Sequence, residues 1–168
     1  MTNRSRRLPP VRSERGITLV EVTVVGVLAA IVMLALTGFY VNSQGNWIDA
    51  SGQAVTQRDA SFILSSISDS VHVASTADVP PGTNTLILND ITGTERCRFW
   101  LSSADQRIHL GINSPSVDQG PVATSKVTQF VLSKNDSMVY VAPLEMQNTS
   151  NHPVSMSIAA TMYNRVVP

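Results

Sequence analysis

The chain has 168 residues, one cysteine, and 12 Lys and Arg against 12 Asp and Glu, which leaves no formal net charge. That length admits one modest folded domain plus an extended segment but not a second full domain, and a lone cysteine excludes an internal disulfide and any multi-cysteine metal centre. The charge is unevenly placed: Arg4, Arg6, Arg7, Arg12 and Arg15 face only Glu14 in the first 16 residues, so the remainder is mildly acidic and lacks the clustered Lys and Arg that a nucleic-acid partner would need.

Residues 1–16 read as a basic leader that ends at Gly16. The next charged side chain is Glu21, and residues 22–41 form an uncharged run of 20 residues interrupted only by Thr23, Gly26, Thr37 and Gly38. As a helix this run spans roughly 30 Å, the thickness of a hydrocarbon core. Arginines flanking such a span hold their side in the cytoplasm, so the C-terminal part is expected outside the inner membrane. No small-residue cleavage signal of the secretory kind follows the run. Gly16, by contrast, leaves accessible extended backbone at the junction, where a protease could bind.

Glu21 is the awkward residue. An ionised acid within a bilayer costs roughly 2.5 to 3.5 kcal/mol even on the lenient insertion scale, so it needs a partner. Cleavage after Gly16 would create an ammonium on Ile17, four residues before Glu21, and the two charges could neutralise each other within one helix or between packed neighbours. The simpler alternative is a solvated acid at the helix mouth, with the span beginning at Val22.

The run Gly16-Ile17-Thr18-Leu19-Val20-Glu21 resembles the processing motif of type IV pilins and type II secretion pseudopilins. The resemblance covers the first quarter of the chain. It implies cleavage between Gly16 and Ile17 by a prepilin peptidase, N-methylation at Ile17, and assembly into a filament through a motif that includes Thr18 and Glu21. In that family the glutamate is thought to pair with the N-terminus of an adjacent subunit. The implied partners are other pilin or pseudopilin subunits, the peptidase, an inner-membrane assembly platform and membrane lipid. Ile17 stands where phenylalanine is commoner, and Gly38 where many major pilins carry a helix-kinking proline; neither departure removes the processing logic.

Beyond the span, residues 42–59 contain Gly45 and Gly52, which follow Gly38 at successive seven-residue intervals and so share a helical face. Each glycine weakens a helix by roughly 1 kcal/mol relative to alanine, which marks either a juxtamembrane linker or a helix open to close neighbours. Amphipathic periodicity resumes after Asp59: Ala60, Ile63, Leu64, Ile67 and Val71 form one stripe, with Ser65, Ser66, Asp69 and Ser70 opposite. The helix is therefore predicted over 18–73, with Val79-Pro80-Pro81-Gly82 opening a loop. Strands are predicted over 85–88, 96–101, 107–112, 126–132, 138–142 and 154–163, and residues 113–125 read as a patternless loop. Ser103-Ala104-Asp105-Gln106 and Lys134-Asn135-Asp136-Ser137 suit hairpin connections.

The expected fold is α+β, a long N-terminal helix packed on an antiparallel sheet, pilin-like by the resemblance. Its segments are a leader (1–16), a transmembrane or filament-core helix (17–41), an amphipathic stalk (42–78) and a β domain (79–168). The order of strands and the ending Thr161-Met162-Tyr163-Asn164-Arg165 look like minor pseudopilin J or minor pilin W types. A major pilin more often carries a disulfide-bounded C-terminal loop, which one cysteine cannot supply; competence pseudopilins of Gram-positive cells are an alternative.

Motifs for catalysis are absent from the sequence: it contains no G-x-S-x-G, H-E-x-x-H, phosphate-binding glycine loop, C-x-x-C or EF-hand pattern. His72, His109 and His152 read as isolated, and Asp118, Asp136 and Asn135 offer oxygens without the spacing of a calcium site. Cys97 lies between Arg96 and Arg98, which could activate a thiol, although a cysteine in a strand-like run is more often an inert buried residue. Trp47, Phe99, Trp100 and Tyr140 are candidate interface aromatics, and Phe99 and Trp100 cannot both face inward on one strand. These readings converge on a non-enzymatic minor pilin or pseudopilin subunit without cofactor or metal, placed at or near a filament tip. The competing class is a single-pass anchored periplasmic domain with a binding or catalytic role.

Overall fold

A computed structural model describes residues 16–112, 117–148 and 152–163; the basic leader, part of the predicted 113–125 loop and the C-terminal Asn164-Arg165 lie outside the described residues. Helix α1 runs Leu19–Val73, within a residue of the predicted bounds, and continues through Gly45 and Gly52. By internal contacts the chain divides into two units, Met1–Gly45 and Asn46–Pro168.

In the first unit every described side chain is exposed. Valines, leucines and isoleucines point outward on all sides, and the helix is long and apolar enough to cross a membrane. A contiguous apolar surface of this extent is far larger than soluble monomers tolerate, which is the property a lipid or protein environment would cover.

The second unit is an α+β domain. Strands β1 (Thr76–Asp78), β2 (Thr85–Asn89), β3 (Glu95–Leu101), β4 (Ile108–Ile112) and β5 (Val117–Pro121) form an antiparallel sheet in sequence order. Strands β6 (Lys126–Asn135), β7 (Met138–Gln147) and β8 (Pro153–Thr161) form a second antiparallel sheet, also in sequence order. The expectation of one sheet is thus corrected to two, joined where the Val127 N–H donates to the Gln106 carbonyl at 2.7 Å.

The stripe Ala60, Ile63, Leu64, Ile67 and Val71 is buried as its spacing required, in one core with Leu86, Leu88, Phe99 and Ile108 of the first sheet and Phe130, Val141, Leu144 and Met146 of the second. Strand alternation explains the contribution of each sheet: Phe99 is fully buried while Trp100 beside it is only partly covered.

Three departures have physical causes. Strand β5 lacks apolar alternation and exists through its pairing with β4, for example Gly111 with Asp118, so no periodicity could announce it. Strand β1 is three residues long, below the length at which a pattern is readable. Strand β7 continues five residues past its predicted end because the register shifts between Val141 and Leu144 on the β8 side, and that irregularity accommodates Pro143, which has no N–H for the ladder. The helix, meanwhile, ends before the proline pair. The Tyr163 N–H donates to the His72 carbonyl at 3.4 Å, and their rings lie 4.8 Å apart, so the segment just past β8 closes the last helical turn.

Candidate functional site

Gly16, Ile17 and Thr18 are non-helical and exposed, immediately ahead of α1. A side-chain carbon placed on Gly16 would meet nothing within 4 Å. Thr18 is the helix N-cap: its Oγ1 accepts from the Glu21 N–H at 3.2 Å, while Glu21 Oε2 accepts from the Thr18 N–H at 2.9 Å and from the Thr18 hydroxyl at 3.1 Å. This reciprocal exchange between N-cap and third helical residue is a capping box, and the pattern T-x-x-E announces it. The box gives Glu21 a partner in the uncut chain, beside the Ile17 ammonium that cleavage would create. The structure therefore brings Thr18 and Glu21 together and puts the Gly16–Ile17 bond in open backbone one residue ahead of them.

Two polar clusters in the second unit were also not foreseen. Asp59 lies on the buried face of α1, one position before the apolar stripe. Its Oδ2 accepts from the backbone N–H and hydroxyl of Thr124, at 3.2 and 2.8 Å, and from those of Ser125, at 3.0 and 2.8 Å. Its Oδ1 meets the Arg58 guanidinium at 3.2 Å. Burial pushes the carboxyl pKa up, but the hydrogen bonds from Ser125, Thr124 and Arg58 outweigh it and hold the group below the usual aspartate value. An acid at a helical position whose neighbours point into the core was the available signal.

His109 corrects a second expectation, since it is not isolated. Its Nδ1 lies 2.9 Å from an Asp118 oxygen and its Nε2 lies 3.0 Å from Asp105, with the Trp100 ring 5.6 Å away. Desolvation works against the imidazolium, but the two carboxylates prevail and raise its pKa; Asp105 and Asp118 are lowered in return, chiefly by the His109 bond for Asp105 and by the Gly120 N–H for Asp118. With both ring nitrogens engaged, His109 has no free lone pair to serve as a general base or metal ligand. Asp105 sits in the β3–β4 turn and Asp118 on β5, so the imidazole ties an edge strand to a hairpin.

Cys97 is buried on the inner face of β3, and desolvation raises its thiol pKa despite the field of Arg96, which makes it a poor nucleophile. Asp118, whose oxygens lack the spacing of a calcium site, is held by His109 and Gly120. Among the described residues no three His, Cys, Asp or Glu side chains are arranged to hold a metal ion. Comparison of the chain with protein-family models, with curated proteins and with solved structures finds no match.

Proposed function

We propose that the chain is the precursor of a minor pilin or pseudopilin, cut between Gly16 and Ile17 by a prepilin peptidase, N-methylated at Ile17 and assembled with other such subunits into a filament. The observation that carries this reading is the junction itself. A basic leader meets an exposed glycine, and the helix that follows opens on a Thr18–Glu21 capping box and offers an uncovered apolar surface. In this reading the surface is held first by the inner membrane and then by neighbouring helices, with the second unit on the periplasmic or extracellular side.

Cleavage has a physical consequence at this place. It converts the Ile17 amide into an ammonium at the positive end of the helix dipole, which disfavours a cation. Glu21, already bonded to the next backbone N–H, is positioned to offset that charge in the same chain or to meet the terminus of a neighbour. Leader, glycine, cap and acid then act as one processing and assembly signal.

Mass spectrometry of the chain isolated from cells with a prepilin peptidase tests the proposal. A mature species beginning with N-methylated Ile17 is the expected outcome. An intact leader would overturn it and favour a permanently anchored domain, and cleavage beyond Ala35 would overturn it by removing most of the apolar span.

A further inference from the structure

Strand register in the first sheet sets Thr85 opposite Trp100 and Trp100 opposite His109; in the next row Arg98 faces Gly111, and Gly111 faces Asp118. Leu86, Phe99 and Ile108 are buried in the core, so alternation turns Thr85, Arg98, Trp100 and His109 to the outer face, where Asp118 meets His109. An open cleft of about 260 Å³ lies on that face, lined by Thr85, Arg98, Trp100 and Asp118. Gly111, between Arg98 and Asp118 in their row, adds no side chain to it.

Solvent reaches the charged members directly, since the side chains of Arg98 and Asp118 are 37% and 50% exposed. Both charges are already balanced. Arg98 Nε and one Nη hold the two Glu95 oxygens at 3.0 and 2.8 Å, and Asp118 is held by His109 Nδ1 at 2.9 Å and the Gly120 N–H at 2.7 Å. A charged ligand would have to displace one of these pairs, whereas hydroxyls can use what the pairs leave over. Among the described residues the other Nη of Arg98, the Thr85 hydroxyl and the Trp100 Nε1–H have no protein partner. A carboxylate has about four lone-pair sites, so Asp118 can still accept. Trp100 supplies the apolar element, its ring 5.6 Å from that of His109, which steadies it on the sheet. The face of an indole carries negative potential and attracts the slightly positive C–H groups of a saturated ring. The cleft is smaller than the roughly 300 to 1,000 Å³ of drug-sized ligand sites, which suits one ring and no more.

The geometry points to a binding site for a single neutral pyranose ring, stacked by its C–H face on Trp100, with its hydroxyls shared among Thr85, Arg98 and Asp118. Arg98 and Thr85 donate to ring oxygens and Asp118 accepts from a hydroxyl, so the donors and acceptors of a sugar are matched in kind. The site lies wholly within the second unit and does not depend on how the N-terminus is processed.

The test uses the full chain in micelles of a sugar-free detergent, followed by NMR of the Trp100 indole N–H and the Thr85 and Asp118 amides. The probes are methyl β-glucopyranoside and methyl β-galactopyranoside, which differ only in the orientation of one hydroxyl. Saturable shifts at these signals are expected from at least one of them. Sorbitol, which has hydroxyls but no rigid ring face, and glucuronate, which brings a charge, should bind about tenfold more weakly or not at all. W100L should weaken binding of the glycoside about tenfold or more, as loss of a stacking face requires. T85V, which removes one hydroxyl and keeps the branched shape, should weaken it about threefold. If W100L fails to fold, T85V decides. No saturable shift from either glycoside, equal binding of sorbitol or glucuronate, or unchanged affinity in the deciding variant would overturn the assignment.

Discussion

Thr18 and Glu21 hold each other at the mouth of α1, so charge and capping at this site can be separated by substitution. Gln at position 21 keeps an acceptor for the Thr18 N–H but has no charge; Ala loses both. If charge pairing drives assembly, E21Q should enter filaments about tenfold less well than wild type while hydrogen exchange of the first helical turn stays unchanged. E21A should add faster exchange there, reflecting a lost cap of about 1 kcal/mol. Wild-type incorporation of E21Q, read by quantitative immunoblotting of sheared filaments, would assign Glu21 to capping alone. His109 offers the second test at this scale. Its raised folded pKa means that its ion pairs contribute fully below its ordinary value of 6.5 and fade as pH rises through the raised value, whereas Asp105 and Asp118, lowered from 3.8, withdraw support only on acidification. Thermal melts should therefore show wild type losing its advantage over H109Q as pH rises above about 6.5, through the raised His109 value. A difference that stays flat as pH rises above about 6.5 would show that the contacts are indifferent to charge.

Helix α1 has two surfaces of different fate, and mutations should report them separately. Ile67 is fully buried in the shared core, so I67A should destabilise the second unit by about 2 to 5 kcal/mol. Phe62 on the same helix is 57% exposed, and F62A should change stability by about 0.5 kcal/mol or less in the isolated chain. Denaturant melts of the two variants check both values. This division was legible in the sequence because it rests on a 3.6-residue period, and Ala60 through Val71 obey it. Six strands were legible from alternation and flanking turn residues. What escaped was structure created by a partner: β5 is a strand only because β4 offers it an edge, and His109 finds Asp118 only once that edge is filled. Asp59 was overlooked for a related reason, since its four donors lie 65 and 66 residues away and no local window contains both ends.

At the scale of the whole molecule, among the described residues one unit holds a core and the other has no buried side chain. The described part of Met1–Gly45 exposes every side chain, whereas Asn46–Pro168 holds the buried cluster. The full chain should consequently sediment with membranes, resist extraction by high salt and alkaline carbonate, and require detergent for release. Release by carbonate alone would show that the apolar helix is covered by something other than lipid. The Asp59 clasp adds a matter of timing. Synthesis proceeds from the N-terminus, so the apolar segment emerges and can settle in its environment while Thr124 and Ser125 are still untranslated. The amphipathic half of the helix must then wait, unpaired, until the chain that will grip Asp59 arrives. High separation along the chain slows such closure, so the apolar segment is exposed before the second unit can fold, and that interval is when the chain is most open to chaperones, proteases and premature association.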